Sequence, residues 1–95
     1  MATFVRLVKM TDQGLRNAKN MGELLAEAGK ALGACNAKLV SAYATLGHYD
    51  LVAIVEAPDA AAMGKASALV AAQGNFRAET LAAVPIQEFA SAVKG

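Results

Sequence analysis

The chain opens with alternation. In residues 3–10, TFVRLVKM, β-branched and apolar side chains are interleaved with Arg6 and Lys9, the pattern of a β-strand. The period then lengthens: Leu15, Ala18, Met21, Leu25, Ala28 and Leu32 recur at spacings of three and four, which predicts a helix from Thr11 to about Leu32. Thr11 is its cap, Asp12 lies near the positive end of the helix dipole, and Gly33 is its stop. Gly14, Gly22 and Gly29 weaken such a helix by roughly 0.5–1 kcal/mol each where they are interior, or else let it pack closely on a sheet. Strand-like runs return at 38–46 and 50–57, joined by the turn Gly47-His48-Tyr49-Asp50 as an antiparallel hairpin. Gly47 permits the positive φ that tight hairpins need, and Asp50 offers a carboxylate to local backbone N–H groups. Asp59 caps a second helix through about Gln73, which Gly74 ends. Asn75 to Val84 is a fourth strand, and Pro85 starts a short terminal helix, IQEFASAVK.

The order β-α-β-β-α-β with a helical tail is the ferredoxin-like α+β arrangement, a single domain over residues 1–95. Its four-stranded antiparallel sheet carries two helices on one face and leaves the other open. Alternation then assigns side chains to faces. In the fourth strand Phe76, Ala78, Thr80, Ala82 and Val84 oppose Arg77, Glu79 and Leu81. In the first, Val5 and Leu7 oppose Phe4, Arg6 and Val8. In the second, Val40, Ala42, Ala44 and Leu46 oppose Leu39, Ser41, Tyr43 and Thr45. Sending the apolar sets to the helices leaves Phe4, Arg6, Val8, Ser41, Tyr43, Arg77 and Glu79 on the open face. That mixture suits a ligand cavity or a subunit interface; a solvated sheet with Arg77 and Glu79 in cross-strand ion pairs is the plainer alternative.

Composition sharpens this picture. A chain of 95 residues buries only about 60–65% of its unfolded surface. Yet 56% of the residues are hydrophobic and 18% charged, more apolar side chain than one small core needs. A second buried surface, between subunits, accounts for the excess, as does alanine exposed on helices. Nine basic and eight acidic residues form no basic stripe, which argues against nucleic-acid binding. The single cysteine, Cys35, excludes an intramolecular disulfide and a cysteine-cluster metal site, and reads as a small packed hydrophobe. Arg6 and Lys9 interrupt the first apolar run, so it reads as neither signal peptide nor membrane span, and Lys65 breaks the alanine-rich stretch 60–72. A cytoplasmic location is expected, with no membrane and no nucleic-acid partner.

Titratable chemistry concentrates at the hairpin turn, where the only histidine, His48, stands beside a phenol and a carboxylate. His48 and Asp50 have no second histidine or cysteine to complete a metal site, so no metal is expected. Gly64-Lys65 lacks the upstream glycine of a phosphate loop and lies within a helix. No nucleophile elbow, dinucleotide fingerprint or cysteine–histidine dyad is present, and no cofactor is implied.

Gly47-x-Tyr49-Asp50-Leu51-Val52, Ala57-Pro58-Asp59, Gly74-Asn75-x-Arg77-x-Glu79-Thr80-Leu81 and Thr11-x-x-Gly14 together resemble the GYD-domain family across nearly the whole chain. The resemblance implies a ferredoxin-like domain of the dimeric α/β-barrel type, in which two open sheet faces meet around a cavity. It implies no reaction. His48 fills the variable position of the Gly-x-Tyr-Asp motif, so the resemblance gives it no catalytic role. Cofactor-free oxygenases and haem- or small-molecule-binding proteins share the barrel by fold analogy alone.

Three functions compete. The first is a homo-oligomeric module that binds a small organic ligand on the open sheet face, with Arg6 or Arg77 holding an anionic group and Tyr43 and Tyr49 stacking or donating. Arg6, Tyr43, His48, Tyr49, Arg77 and Glu79 are its candidate ligand-binding residues, and Gly47 and Asp50 its structural turn. The second is a small cofactor-independent enzyme, an oxygenase or isomerase, with His48 or Glu79 moving a proton. The third is a regulatory or assembly subunit whose sheet face is filled by its partner.

Overall fold

Thr11 turns the chain from strand β1 (Ala2–Met10) into helix α1 (Asp12–Arg16). Its hydroxyl accepts from the Gly14 N–H at 3.0 Å, satisfying one of the donors that a helix start leaves free. The computed structural model describes residues 1–95. After α1 come a 3-10 turn (Ala18–Asn20), α2 (Met21–Ala34), β2 (Lys38–Ala44), β3 (Leu51–Ala57), α3 (Ala60–Ala72), β4 (Phe76–Ala83) and α4 (Ile86–Lys94). The first helix is therefore two helices rather than the single one that the spacing predicts. Asn17 marks the break: its backbone N–H tightens onto the Gly14 carbonyl three residues back, and its side-chain amide donates to the Gln13 carbonyl. Such local bonds compete with helix propagation. At the far end of α2, Asn36 takes the left-handed conformation at φ 58° that ends a helix. α3 begins and ends as its sequence predicts, with Asp59 accepting from the Ala62 N–H at 2.8 Å and Gly74 at φ 86°.

The four strands form one antiparallel sheet in the order β2-β3-β1-β4, the ferredoxin-like topology, with α2 and α3 on one face. The core is the seam between them. Phe4, Val55 and Ala57 meet Leu32, Met63 and Ala66, and beside them Val8 and Phe76 meet Leu24, Ala31 and Val70. Cys35 is buried in the first of these groups.

That core corrects the facing expected for β1. Phe4, Arg6 and Val8 lie under the helices, and Val5 and Leu7 belong to the open face. β1 is an inner strand with apolar residues on both faces, so alternation carries little contrast. A bulge between Leu39 and Ser41 likewise shifts β2, placing Leu39 with Ala42 on the helix side while Ser41 and Tyr43 pair with Ile54 and Val52.

The corner after β1 is clamped onto the end of α3. The Thr11 N–H donates to the Asn75 carbonyl at 3.1 Å, the Thr11 hydroxyl donates to Gly74, and Gln13 Nε2 donates to the Gln73 carbonyl and to Asn75 Oδ1, both at 3.1 Å. A Cβ at Gly14 would overlap the Asn75 carbonyl oxygen, so only glycine fits. The motif residues Thr11, Gly14, Gly74 and Asn75 are thus architectural. α4 packs differently: all its residues are exposed, including Ile86, Phe89 and Val93. No helix is long and apolar enough to cross a membrane.

Candidate functional site

The connection from β2 to β3 is strapped to the end of β1. The Asp50 N–H donates to the Val8 carbonyl and Asp50 Oδ2 accepts from the Met10 N–H, both at 2.8 Å. Asp50 therefore prolongs the β1–β3 ladder beyond the Val8–Leu51 pair, a long-range role in place of the local one expected for it. The Thr45 hydroxyl donates to the Tyr49 carbonyl at 2.7 Å, and Gly47 takes φ 114° between them, as the turn requires. This leaves the Tyr49 side chain over the open face, where its hydroxyl donates to Glu79 Oε2 at 3.0 Å. Glu79 pairs with Leu7, so the phenol bridges from the β3 side of β1 to the strand on its other side.

The register sets the rest of that face. One row runs Tyr43, Val52, Leu7, Glu79, and the next Ser41, Ile54, Val5, Leu81. Lys9 stands opposite Arg77 at one end, and Glu56 opposite Thr3 at the other. Val5, Leu7, Val52 and Ile54 form a half-buried apolar centre flanked by Leu81 and Tyr43, which are 41% and 63% exposed. No helix covers it. A sheet face that is meant for water carries polar residues there.

Of the candidate residues, Tyr43, Tyr49, Arg77 and Glu79 share this face, and of these Tyr49 and Glu79 are joined by a hydrogen bond. The bond to Glu79, then its negative charge, then some desolvation hold the Tyr49 phenol above its usual range. His48 is exposed on the turn and joins neither hydrogen bond. No group of three or more histidine, cysteine, aspartate or glutamate side chains comes close enough to hold a metal.

Arg6 is on the other side. It is 5% exposed between the sheet and the helices, and its Nη1 donates to Thr80 Oγ1 at 3.0 Å. Burial pushes the guanidinium down from its ordinary value, yet its starting point is so high that it stays charged. Alternation alone puts this residue on the open face and passes over Val5 and Leu7, because a charge reads as pointing outward. The offset between β1 and β4 holds the missing signal: it sets Arg6 beside Thr80.

A family model described as the GYD domain matches residues 4–93. The chain is 34% identical over 98 residues to a Thermus thermophilus protein named "Glutamine synthetase and cystathionine beta-lyase binding protein", covering 99% of this chain and 100% of that one. The crystal structure of TTHA0845, also from Thermus thermophilus, matches at a TM-score of 0.55 and 24% identity, over 90% of this chain and 95% of that one. At that identity the likeness supports the fold alone.

Proposed function

Because this chain belongs to the GYD-domain family, we propose that it is a protein-binding module that works as a homodimer closed through its open sheet face. The observation that carries this reading is the uncovered apolar centre of Val5, Leu7, Val52 and Ile54, rimmed by Lys9, Arg77, Glu79 and Glu56. An apolar middle with a charged border is the anatomy of a protein interface. The border is charge-mixed: Glu56 stands opposite Lys38 at one end, and Glu79 shares the face with Lys9 and Arg77 at the other. Like charges at Lys9 and Arg77 stand opposite each other within one sheet, which is unfavourable until a counter-charge arrives. Tyr43, Tyr49, Arg77 and Glu79 then line the closed interface, and a small organic ligand held there is a finer form of the same reading.

The relative named for binding glutamine synthetase and cystathionine beta-lyase supports a binding role and supplies the partners to try first. Sedimentation velocity at tens of micromolar should give a dimer or larger closed oligomer. Immobilised protein should then retain one of those two enzymes from the same host. A clean monomer that retains neither enzyme overturns the proposal.

A further inference from the structure

A buried arginine needs a partner. In the seam between sheet and helices, Arg6 is nine-tenths buried and its one protein acceptor is the Thr80 hydroxyl. Its remaining N–H donors have no protein acceptor, and no carboxylate contributes to its protonation behaviour. None of its nitrogens is sealed from accessible space without a partner, so the free donors look onto the adjoining cavity, where apolar walls leave the charge in want of an anion.

The space beside Arg6 is shaped for more than water. It forms a cavity of about 60 Å³, bounded by Val8, Leu25, Gly29, Leu32, Val55 and Phe76 among others, with Arg6 as its only charged wall. Such a volume corresponds to on the order of four waters, and a mostly apolar lining offers them too few hydrogen bonds. Gly29 sharpens the point. It lies on the cavity wall in the interior of α2, and a Cβ built there meets nothing within 4 Å. The lining continues to Leu39 and Ala42, both exposed on the edge strand β2, which gives the cavity a mouth.

We propose that this seam between α2 and the sheet is a binding site for a small aliphatic monocarboxylate, with its carboxylate on the Arg6 guanidinium and its chain along Leu25, Gly29 and Leu32. The guanidinium offers parallel N–H groups to two oxygens, the geometry that a carboxylate accepts. The Thr80 hydroxyl accepts one Arg6 N–H and so fixes the plane of the fork. A phosphate fits less well, because it needs more donors than one arginine supplies and its dianion finds only hydrocarbon beyond. The site lies on the face of the sheet opposite the dimer surface and does not depend on it.

The test is a titration of the intact protein with sodium propionate, whose five heavy atoms suit a cavity of about 60 Å³, read by backbone amide shifts. Propan-1-ol and inorganic phosphate serve as the uncharged and the chainless comparators. Propionate should move the amides of Ala28, Gly29 and Ala53 saturably, and propan-1-ol should bind at least tenfold more weakly. Arg6→Met, which keeps much of the volume, should lose at least tenfold in propionate affinity while its ligand-free melting temperature rises. Gly29→Leu crowds the cavity wall and should lose at least tenfold with Arg6 intact, so the site remains testable if Arg6→Met does not fold. The proposal is overturned if propionate leaves those amides unmoved, if propan-1-ol binds as tightly, if phosphate binds there in preference, or if a folded variant retains full affinity.

Discussion

The Tyr49 hydroxyl and the Glu79 carboxylate meet at 3.0 Å across the open face, joining the β2–β3 connection to β4. Because the acceptor is ionised, the bond favours the protonated phenol and raises its titration point in the folded state. The sign follows from linkage: the bond's contribution is complete below the ordinary tyrosine range and is lost as pH rises through the raised folded value. Absorbance titration of tyrosinate, compared with Tyr49→Phe to isolate this residue, should show Tyr49 ionising above free tyrosine. Glu79→Gln should bring it back down. An unchanged titration in Glu79→Gln would mean that the pair does not persist in solution.

Two glycines near the start of the helical layer should respond oppositely to alanine. At Gly14 the added Cβ collides with the Asn75 carbonyl oxygen, a backbone atom that cannot move without shifting the end of α3. Gly14→Ala should therefore destabilise by about 1–3 kcal/mol, as overpacking does. At Gly29 the same atom enters open space within α2, so Gly29→Ala should stabilise by roughly 0.5–1 kcal/mol. Urea midpoints of the two variants check both signs.

The hairpin turn makes a separate claim. Gly47 at φ 114° occupies a region closed to β-branched side chains, so Gly47→Val should cost about 1–3 kcal/mol. Asp50→Ala removes the acceptor for the Met10 N–H, an exposed bond, and should cost about 0.5–1.5 kcal/mol. Thermal unfolding of both variants reads these directly, and unchanged melting temperatures would assign the turn a purpose other than architecture.

Local chemistry was legible in the chain, and long-range chemistry was not. Thr11, Asp59, Gly47 and Gly74 announce caps, a turn and a stop because each acts on backbone within a few residues of itself. The order of elements follows from those signals. Facing in β1 does not, since Phe4 through Val8 is apolar on both sides and Arg6 is the one residue offering contrast. It points the wrong way, because its burial depends on a register with Thr80 that lies 74 residues away. The Leu39–Ser41 bulge has no local marker either, and it reverses Leu39. On the open face, the placement of Tyr43, Arg77 and Glu79 follows from alternation, while the reach of Tyr49 to Glu79 does not. The apolar centre between them emerges only with the pairing.

α4 should be dispensable for folding of the chain that bears it. Its residues are all exposed, so removal of residues 86–95 deletes little buried apolar surface. Stability of the monomer unit should change by no more than about 0.5 kcal/mol, the usual range for surface changes. Denaturation at several protein concentrations separates this from any contribution that α4 makes between subunits, which would appear as a concentration-dependent shift.

The sheet face yields the most direct prediction. Ile54 sits in the middle of the open face, opposite Val5 on one side and Ser41 on the other, and its side chain is half-buried within a single chain. Ile54→Lys keeps a strand-compatible length while placing a charge in the middle of the apolar centre. In a solvated monomer that change is mild, because the ammonium can reach water along its flexible stem. In a dimer closed through this face two such charges are buried near the symmetry axis, with a cost of several kcal/mol. Ile54→Lys should therefore sediment as a folded monomer with native-like circular dichroism, at concentrations where the unmodified protein is a dimer. Arg77→Met, at the rim, should weaken the dimer and reduce its sensitivity to salt without abolishing it, since rim charges act through a screened field. A dimer that survives Ile54→Lys unchanged would move the interface away from the sheet.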